Sequence, residues 1–346
     1  MRTLLITGGC GFIGSHFVKL VLRERPHYRV INLDLLTYAG NLENLATEKR
    51  TREDAAYRFI RGDVVDVNLV TQVVEEENVD AIVNLAAETH VDRSLLDSAP
   101  FLRTNVEGTR VLLEAASRKN IERFLQVSTD EVYGSLTPAE PWFTEESPLK
   151  SNSPYAASKA AADLLVRAYH RSYGVQALVT RCSNNYGPYQ FPEKFLPLII
   201  TNVLDDRPMP IYGDGLQIRD WIHVEDHARA LLEVLEHGLP GEIYNISANC
   251  ERTNLELAEW VLEMLQKPPE LICHVQDRPG HDRRYALNAS KLCDELGWRP
   301  MIDLESGLRA VIAWYRSERG WWERIKSGEY RKYYAQLYGE RLASHQ

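Results

Sequence analysis

Apolar and polar positions in the first half of the chain fall into two alternating rhythms. Short apolar runs at 3–7, 30–34, 58–61, 81–86, 124–128 and 177–181 have the length of strands. Several are apolar throughout rather than at every second residue, as parallel strands covered on both faces require. Between them, 14–25, 67–77, 101–119 and 155–173 carry apolar residues at helical spacing. This alternation predicts an α/β fold, a Rossmann-type doubly wound parallel sheet.

The rhythm changes after Asn185. Pro188, Pro192, Pro197, Pro208 and Pro210 punctuate the chain there, and Gly213-Asp214-Gly215 marks a turn. Helices are expected at 224–236 and 254–265, and a short strand at 242–246. Residues 1–185 are assigned to the sheet domain, with some later segments returning to it, and 186–346 mainly to a smaller C-terminal α/β substrate-binding lobe. The aromatic end (Trp314, Trp321, Trp322, Tyr330, Tyr333, Tyr334) is expected to pack against the body.

A length of 346 residues suits a sheet domain plus a lobe. The net charge of -9, with no basic stretch, argues against a nucleic-acid partner. The first apolar run breaks at Gly8-Gly9, too early for a signal-peptide core. No segment approaches the ~20 apolar residues that cross a bilayer. The five cysteines are odd in number and lack CxxC spacing. A disulfide framework or a structural metal is not expected, and a reducing, cytoplasmic setting fits.

Thr7-Gly8-Gly9-Cys10-Gly11-Phe12-Ile13-Gly14 leaves the first strand and opens the first helix. Glycines at this spacing allow a tight turn and close approach of a pyrophosphate, and the helix start offers free N–H groups. Alone, the motif is equally a plain strand-to-helix turn. Asp34 changes the weighing: it ends the second strand about 20 residues later, where an acid accepts the adenosine ribose hydroxyls and repels a 2′-phosphate. NAD is therefore favoured over NADP. Asp63 and Val64 after the third strand, and Leu85, Ala86 and Ala87 after the fourth, are softer cofactor candidates.

Tyr155 and Lys159 stand one helical turn apart behind a Ser153-Pro154 helix start. A tyrosine beside an ammonium and a nicotinamide cation can act as a base despite a free pKa of about 10. Such a pair is common by chance; after a dinucleotide fingerprint it carries weight. Ser128-Thr129-Asp130-Glu131 follows the apolar run 124–127. Adjacent acids near a glycine are usually solvated, but these end a central strand, where open α/β sheets bind ligands.

With these residues in view, the chain resembles the extended short-chain dehydrogenases/reductases that act on nucleotide sugars, and among them the dTDP-glucose 4,6-dehydratases. The matching stretches are Gly8 to Phe17, Asp34 to Asn41, Ala86 to Ser94, Ser128 to Gly134, Tyr155 to Lys159, Ser183 to Gln190, Pro192-Glu193-Lys194, Arg219-Asp220-Trp221 and Asp277 to Tyr285. The Asp130-Glu131 pair separates this group from the related epimerases. The resemblance implies a carbon–oxygen lyase with tightly held NAD, dTDP-glucose as substrate and a homodimer built on 101–119 and 155–173.

It further implies Thr129, Asp130, Glu131, Tyr155 and Lys159 as the catalytic set. Phe12, Ile13, Thr37, Thr104 and Asn185 join the cofactor residues named above. Thr89, Thr129, Asn184, Lys194, Arg219, Asn254, Arg278, His281 and Tyr285 would meet the nucleotide sugar. UDP-glucose is the alternative substrate. His223 and Ser247-Ala248-Asn249 depart from the family pattern, and His90 and Cys182 are read as structural.

Overall fold

The computed structural model describes residues 2–46, 55–327 and 329–343. Its strands are β1 (Arg2–Thr7), β2 (Tyr28–Asp34), β3 (Tyr57–Arg61), β4 (Ala81–Asn84), β5 (Arg123–Thr129), β6 (Ala177–Cys182), β7 (Asn184–Tyr186), β8 (Met209–Tyr212), β9 (Ile218–His223), β10 (Ile243–Ile246), β11 (Glu251–Thr253) and β12 (Ile272–Val275). Seven of them form one sheet in the order β10-β6-β5-β4-β1-β2-β3. Every pairing in it is parallel. Chain direction across the sheet reverses between β1 and β4, so a crevice opens beyond their carboxyl ends.

The apolar runs divide themselves between two faces. Leu4 and Ile6 of β1 join the core under helices Phe12–Glu24 and Val224–His237. Leu5, between them, joins the opposite core with Val70, Leu112 and Val166 from the other helices. Burial on both faces is why these strands read as continuous rather than alternating.

Local chemistry sets the helix ends. Asp66 Oδ1 accepts from the N–H groups of Asn68 and Leu69, at 3.1 and 3.0 Å. Ser153 Oγ accepts from Ala156 N at 3.1 Å, Pro154 follows it, and Gly174 closes that helix in the left-handed region. Thr253 and Glu256 make a reciprocal capping box.

Two expected elements differ. The fourth strand stops at Asn84, because Leu85 and Ala86 turn their N–H groups onto the carbonyl and hydroxyl of Thr7. The helix expected at 101–119 has a π-helical stretch, Leu102–Gly108, before Thr109–Lys119. Asn105 lies within it and exchanges hydrogen bonds with the Glu88 backbone while donating to Ser158 Oγ at 2.8 Å. Such bulges recur at functional sites.

The later half builds a second layer around its own core. Helices Phe195–Leu204, Asn254–Leu265 and Leu304–Ser317 enclose it with Trp321 and Trp322. A sheet β11-β9-β7 and a pair β12-β8 complete the lobe. The expected strand near 242–246 is β10, and it crosses back to pair with β6. The aromatic end does pack inward: Trp322 Nε1 donates to Tyr315 O at 2.7 Å, and Tyr330 OH to Pro192 O at 3.1 Å. Among the described residues no helix is long and apolar enough to cross a membrane.

Candidate active site

A cleft of about 290 Å³ runs along the carboxyl edge of the large sheet. At one end the chain leaves β1 through Gly8, whose φ is +70° and where a Cβ would stand 2.7 Å from Ala86 N. A Cβ on Gly14 would stand 2.1 Å from Gly8 O. Side chains are excluded at both, so the loop packs closely on the neighbouring strand and on the start of the helix. The helix Phe12–Glu24 begins there with no side-chain cap. Asp34 is buried; its two oxygens accept from Cys10 N at 2.9 Å and Leu36 N at 2.8 Å. Burial raises its proton affinity while those two donors oppose the rise.

Gly8, Gly11, Phe12, Ile13, Gly14, Asp34, Thr37, Asp63, Val64, Leu85, Ala86, Ala87, Thr104 and Asn185 all line this cleft, as do Tyr155 and Lys159. Asp63 is tied to Arg103 at 2.7 Å, and Asn185 Oδ1 meets His227 Nδ1 at 2.8 Å.

Beyond the carboxyl end of β5, Thr129 caps a short 3-10 turn, Asp130–Tyr133, its hydroxyl accepting from Glu131 N at 3.3 Å. The turn presents two carboxyls in succession. Asp130 is 2 % exposed, and its Oδ2 has no hydrogen-bond partner. Burial, then Glu131 and Asp220, push its proton affinity well above the carboxyl range. Burial also raises Glu131, but Arg278, Lys194 and Arg219 pull it back.

Tyr155 and Lys159 face the same space from helix Pro154–Tyr173. Burial, then Glu131 and Cys182, raise the Tyr155 phenol well above its ordinary value, and a hydrogen bond to Thr129 opposes them. Lys159 Nζ donates to Val127 O at 2.6 Å, and burial lowers its own proton affinity.

The expected substrate residues divide. Thr89, Thr129, Asn184 and Lys194 line the cleft, and Lys194 Nζ donates to Thr89 O at 2.7 Å. Arg219, Arg278, His281 and Tyr285 lie outside its lining, on the lobe. The Arg219 guanidinium stacks 4.3 Å from the Tyr285 ring centre, and its Nη2 donates to Asp282 O at 2.9 Å. Arg278 sits 3.5 Å from Asp92. His281 is held by Asp277 at 2.6 Å; burial, then Arg278 and Arg219, lower its ring to about 4, so it is neutral at physiological pH. Asn254 stands at the start of its helix, with its N–H on Gln217 O.

Glu88, Ser183, Gln190 and Glu193 also line the cleft and were not singled out from sequence. Glu193 binds Arg93 at 3.0 Å; the signal for it was its place beside Lys194. The unexpected His223 is a helix cap, its Nδ1 accepting from Glu225 N at 3.3 Å. Asn249 adopts φ 53°, supplying the left-handed residue that a glycine-rich loop would. Cys182 Sγ approaches Ser128 O at 3.4 Å, and burial raises its thiol to about 12, which leaves it an inert thiol.

A doubly wound sheet with a glycine-lined cleft, a Tyr-Lys helix and paired carboxyls defines a dinucleotide-dependent enzyme of the short-chain dehydrogenase/reductase type. A family model described as GDP-mannose 4,6 dehydratase matches residues 5–311. The dTDP-glucose 4,6-dehydratase of Streptomyces niveus is 52% identical over 328 residues, covering 94% of this chain and 96% of the relative. That of Escherichia coli is 46% identical over 355 residues, covering 94% and 97%. The dTDP-glucose 4,6-dehydratase of Streptomyces venezuelae, solved with NAD bound, superposes with a TM-score of 0.90 at 49% identity, covering 94% of this chain and 100% of that one. A UDP-glucose 4-epimerase from Thermotoga maritima gives 0.85 at 29% identity, covering 92% and 100%. The chain belongs to the GDP-mannose 4,6-dehydratase family.

The raised proton affinity of Asp130 has a consequence for stability. Folding raises it, so the unfavourable contribution is absent below the unfolded carboxyl value of about 3.9 and grows as the pH climbs. Asp130→Asn is expected to be more stable than the parent by about 1–3 kcal/mol at neutral pH. The gap should close in acid. Urea unfolding at both pH values checks this; a destabilised variant at neutral pH would contradict it.

Proposed function

We propose that this protein is an NAD-dependent dTDP-glucose 4,6-dehydratase, converting dTDP-glucose to dTDP-4-keto-6-deoxyglucose and water. The observation that carries the reading is the Asp130-Glu131 pair, set in one cleft with Tyr155 and Lys159. Neighbouring carboxyls with different surroundings divide acid and base roles between them. Three cations act on Glu131, favouring its ionised form as the base that removes the C5 proton. Asp130 feels Arg219 but also two other acids, and its held proton goes to the departing C6 hydroxyl, released as water.

The cofactor fits the residues present. Gly8, Gly11 and Gly14 line the cleft at an uncapped helix N-terminus, which suits a pyrophosphate, and Asp34 in the same lining offers carboxylate oxygens to a ribose. When bound, NAD would supply the acceptor for the C4 hydride and its later donor to C6, and so would be regenerated each turnover. Tyr155 takes the C4 hydroxyl proton. The C4 ketone then acidifies the C5 proton for Glu131, which gives a proton back to C5 as C6 regains the hydride. Lys159, anchored on Val127 O, holds an ammonium on the same helix face. Lys194, Arg219 and Arg278 supply charge for a diphosphate, with Arg forks suited to phosphate oxygens. Thr89, Asn184, Asn254, His281 and Tyr285 are assigned to the sugar and nucleoside.

We also read the protein as a cytoplasmic homodimer. Leu95, Leu96, Leu102, Leu164 and Tyr173 are exposed around 99–119 and Pro154–Tyr173, which supports a subunit interface there. All five cysteines are free, which suits a reducing compartment.

Mass spectrometry of the purified protein with dTDP-glucose, without added NAD, should show loss of one water. Preference for UDP-glucose would move the base assignment, and no water loss even with NAD supplied would sink the reading. In single-turnover measurements Asp130→Asn should slow elimination about 100-fold or more while C4 oxidation changes little. Equal loss of both steps would remove Asp130 from the acid role. Light scattering should give twice the chain mass; a monomer mass would reject the interface.

A further inference from the structure

Behind the cleft lies a buried polar chain that the reaction scheme does not use. Arg181 sits on β6, opposite Ser128 of β5 on one side and Asn245 of β10 on the other. Its Nε donates to Asp163 Oδ2 at 2.9 Å, and its Nη1 to Tyr133 OH at 2.9 Å. Tyr133 OH donates onward to Asn245 Oδ1 at 2.8 Å. Arg181 and Asp163 are each 3% exposed, Tyr133 1% and Asn245 0%.

The ends of this chain matter. Asp163 lies one helical turn beyond Lys159, on the helix that carries Tyr155. Tyr133 is the last residue of the turn that presents Asp130 and Glu131. One guanidinium therefore joins the element bearing the oxidation pair to the element bearing the elimination pair. A buried ion pair gains little stability over an apolar replacement of similar volume, so net stability is a poor account of its presence. Its fork geometry fixes two partners at once, which an apolar side chain would not do.

We infer that Arg181 is a positioning residue that holds the Tyr155–Lys159 pair and the Asp130–Glu131 pair in one register across the substrate. The inference rests on the dehydratase reading above. It predicts that the two chemical steps lose their mutual alignment when the link is cut, although no group touching substrate is changed. A misplacement of the order of 1 Å in such a pair costs up to about 100-fold in rate.

The test uses holoenzyme and dTDP-glucose in single-turnover mode. Reduced-nicotinamide absorbance follows C4 oxidation, and quenched samples weighed by mass spectrometry follow water loss. Tyr133→Phe keeps the ring that stacks on Phe143 at 4.9 Å and removes only the hydroxyl link. Elimination should slow about 10- to 100-fold, with the absorbance persisting, while oxidation stays within about 2-fold. Arg181→Lys, which keeps the charge but loses the fork, should show the same signature and serves if Tyr133→Phe unfolds. Equal slowing of both steps, or no slowing in folded variants, overturns the inference. Absence of any absorbance change and of water loss in the parent would instead overturn the dehydratase reading itself.

Discussion

Desolvation of ionisable groups along the carboxyl edge of the large sheet is the constraint on which the rest of the structure depends. Asp130, Tyr155 and Lys159 are all buried there. Each would be unremarkable in water and is altered by being enclosed: the carboxyl and the phenol hold their protons more tightly, the ammonium less. The sheet makes this enclosure tolerable. Its strands, covered on both faces, bring polar ends to one edge, and the surrounding backbone carbonyls and amides become partners. Lys159 on Val127 O and Asp34 under Cys10 N and Leu36 N are two instances.

The same constraint acts differently on the two adjacent carboxyls. Glu131 lies within the field of Lys194, Arg219 and Arg278, all from the lobe side of the cleft. Asp130 meets Glu131 and Asp220, which outweigh Arg219. Two residues that are neighbours in the chain thus meet different charges from the lobe: Asp130 meets Asp220 as well as Arg219, and Glu131 meets three cations. Charges on the lobe therefore set the proton affinities of carboxyls carried by the sheet domain.

Much of this was legible in the residues. Continuous apolar runs implied two-sided burial, and the glycine loop, Asp34 and the Tyr155–Lys159 spacing lie along one cleft as their order implies. Other features depend on contacts between segments far apart in the chain. The π-helical stretch at Leu102–Gly108 follows from Asn105 bonding Glu88 and Ser158, which no local periodicity announces. The strands β7 to β9, β11 and β12 are broken by polar residues or proline, so no continuous apolar run marks them as it marks β1. The anchoring of Lys159 to Val127 O depends on how closely the helix lies over β5, and helical spacing carries no such information.

The return of β10 to the sheet also orders events during synthesis. β6 closes one side of its own strand against β5, but its other edge waits for residues 243–246, which the ribosome delivers some sixty positions later. Until then the nascent domain carries an unpaired strand edge, a hazard for association with other chains. Asn245, the last acceptor in the chain that runs from Asp163 through Arg181 and Tyr133, arrives on that same strand. The buried polar chain is therefore completed only when the late segment docks.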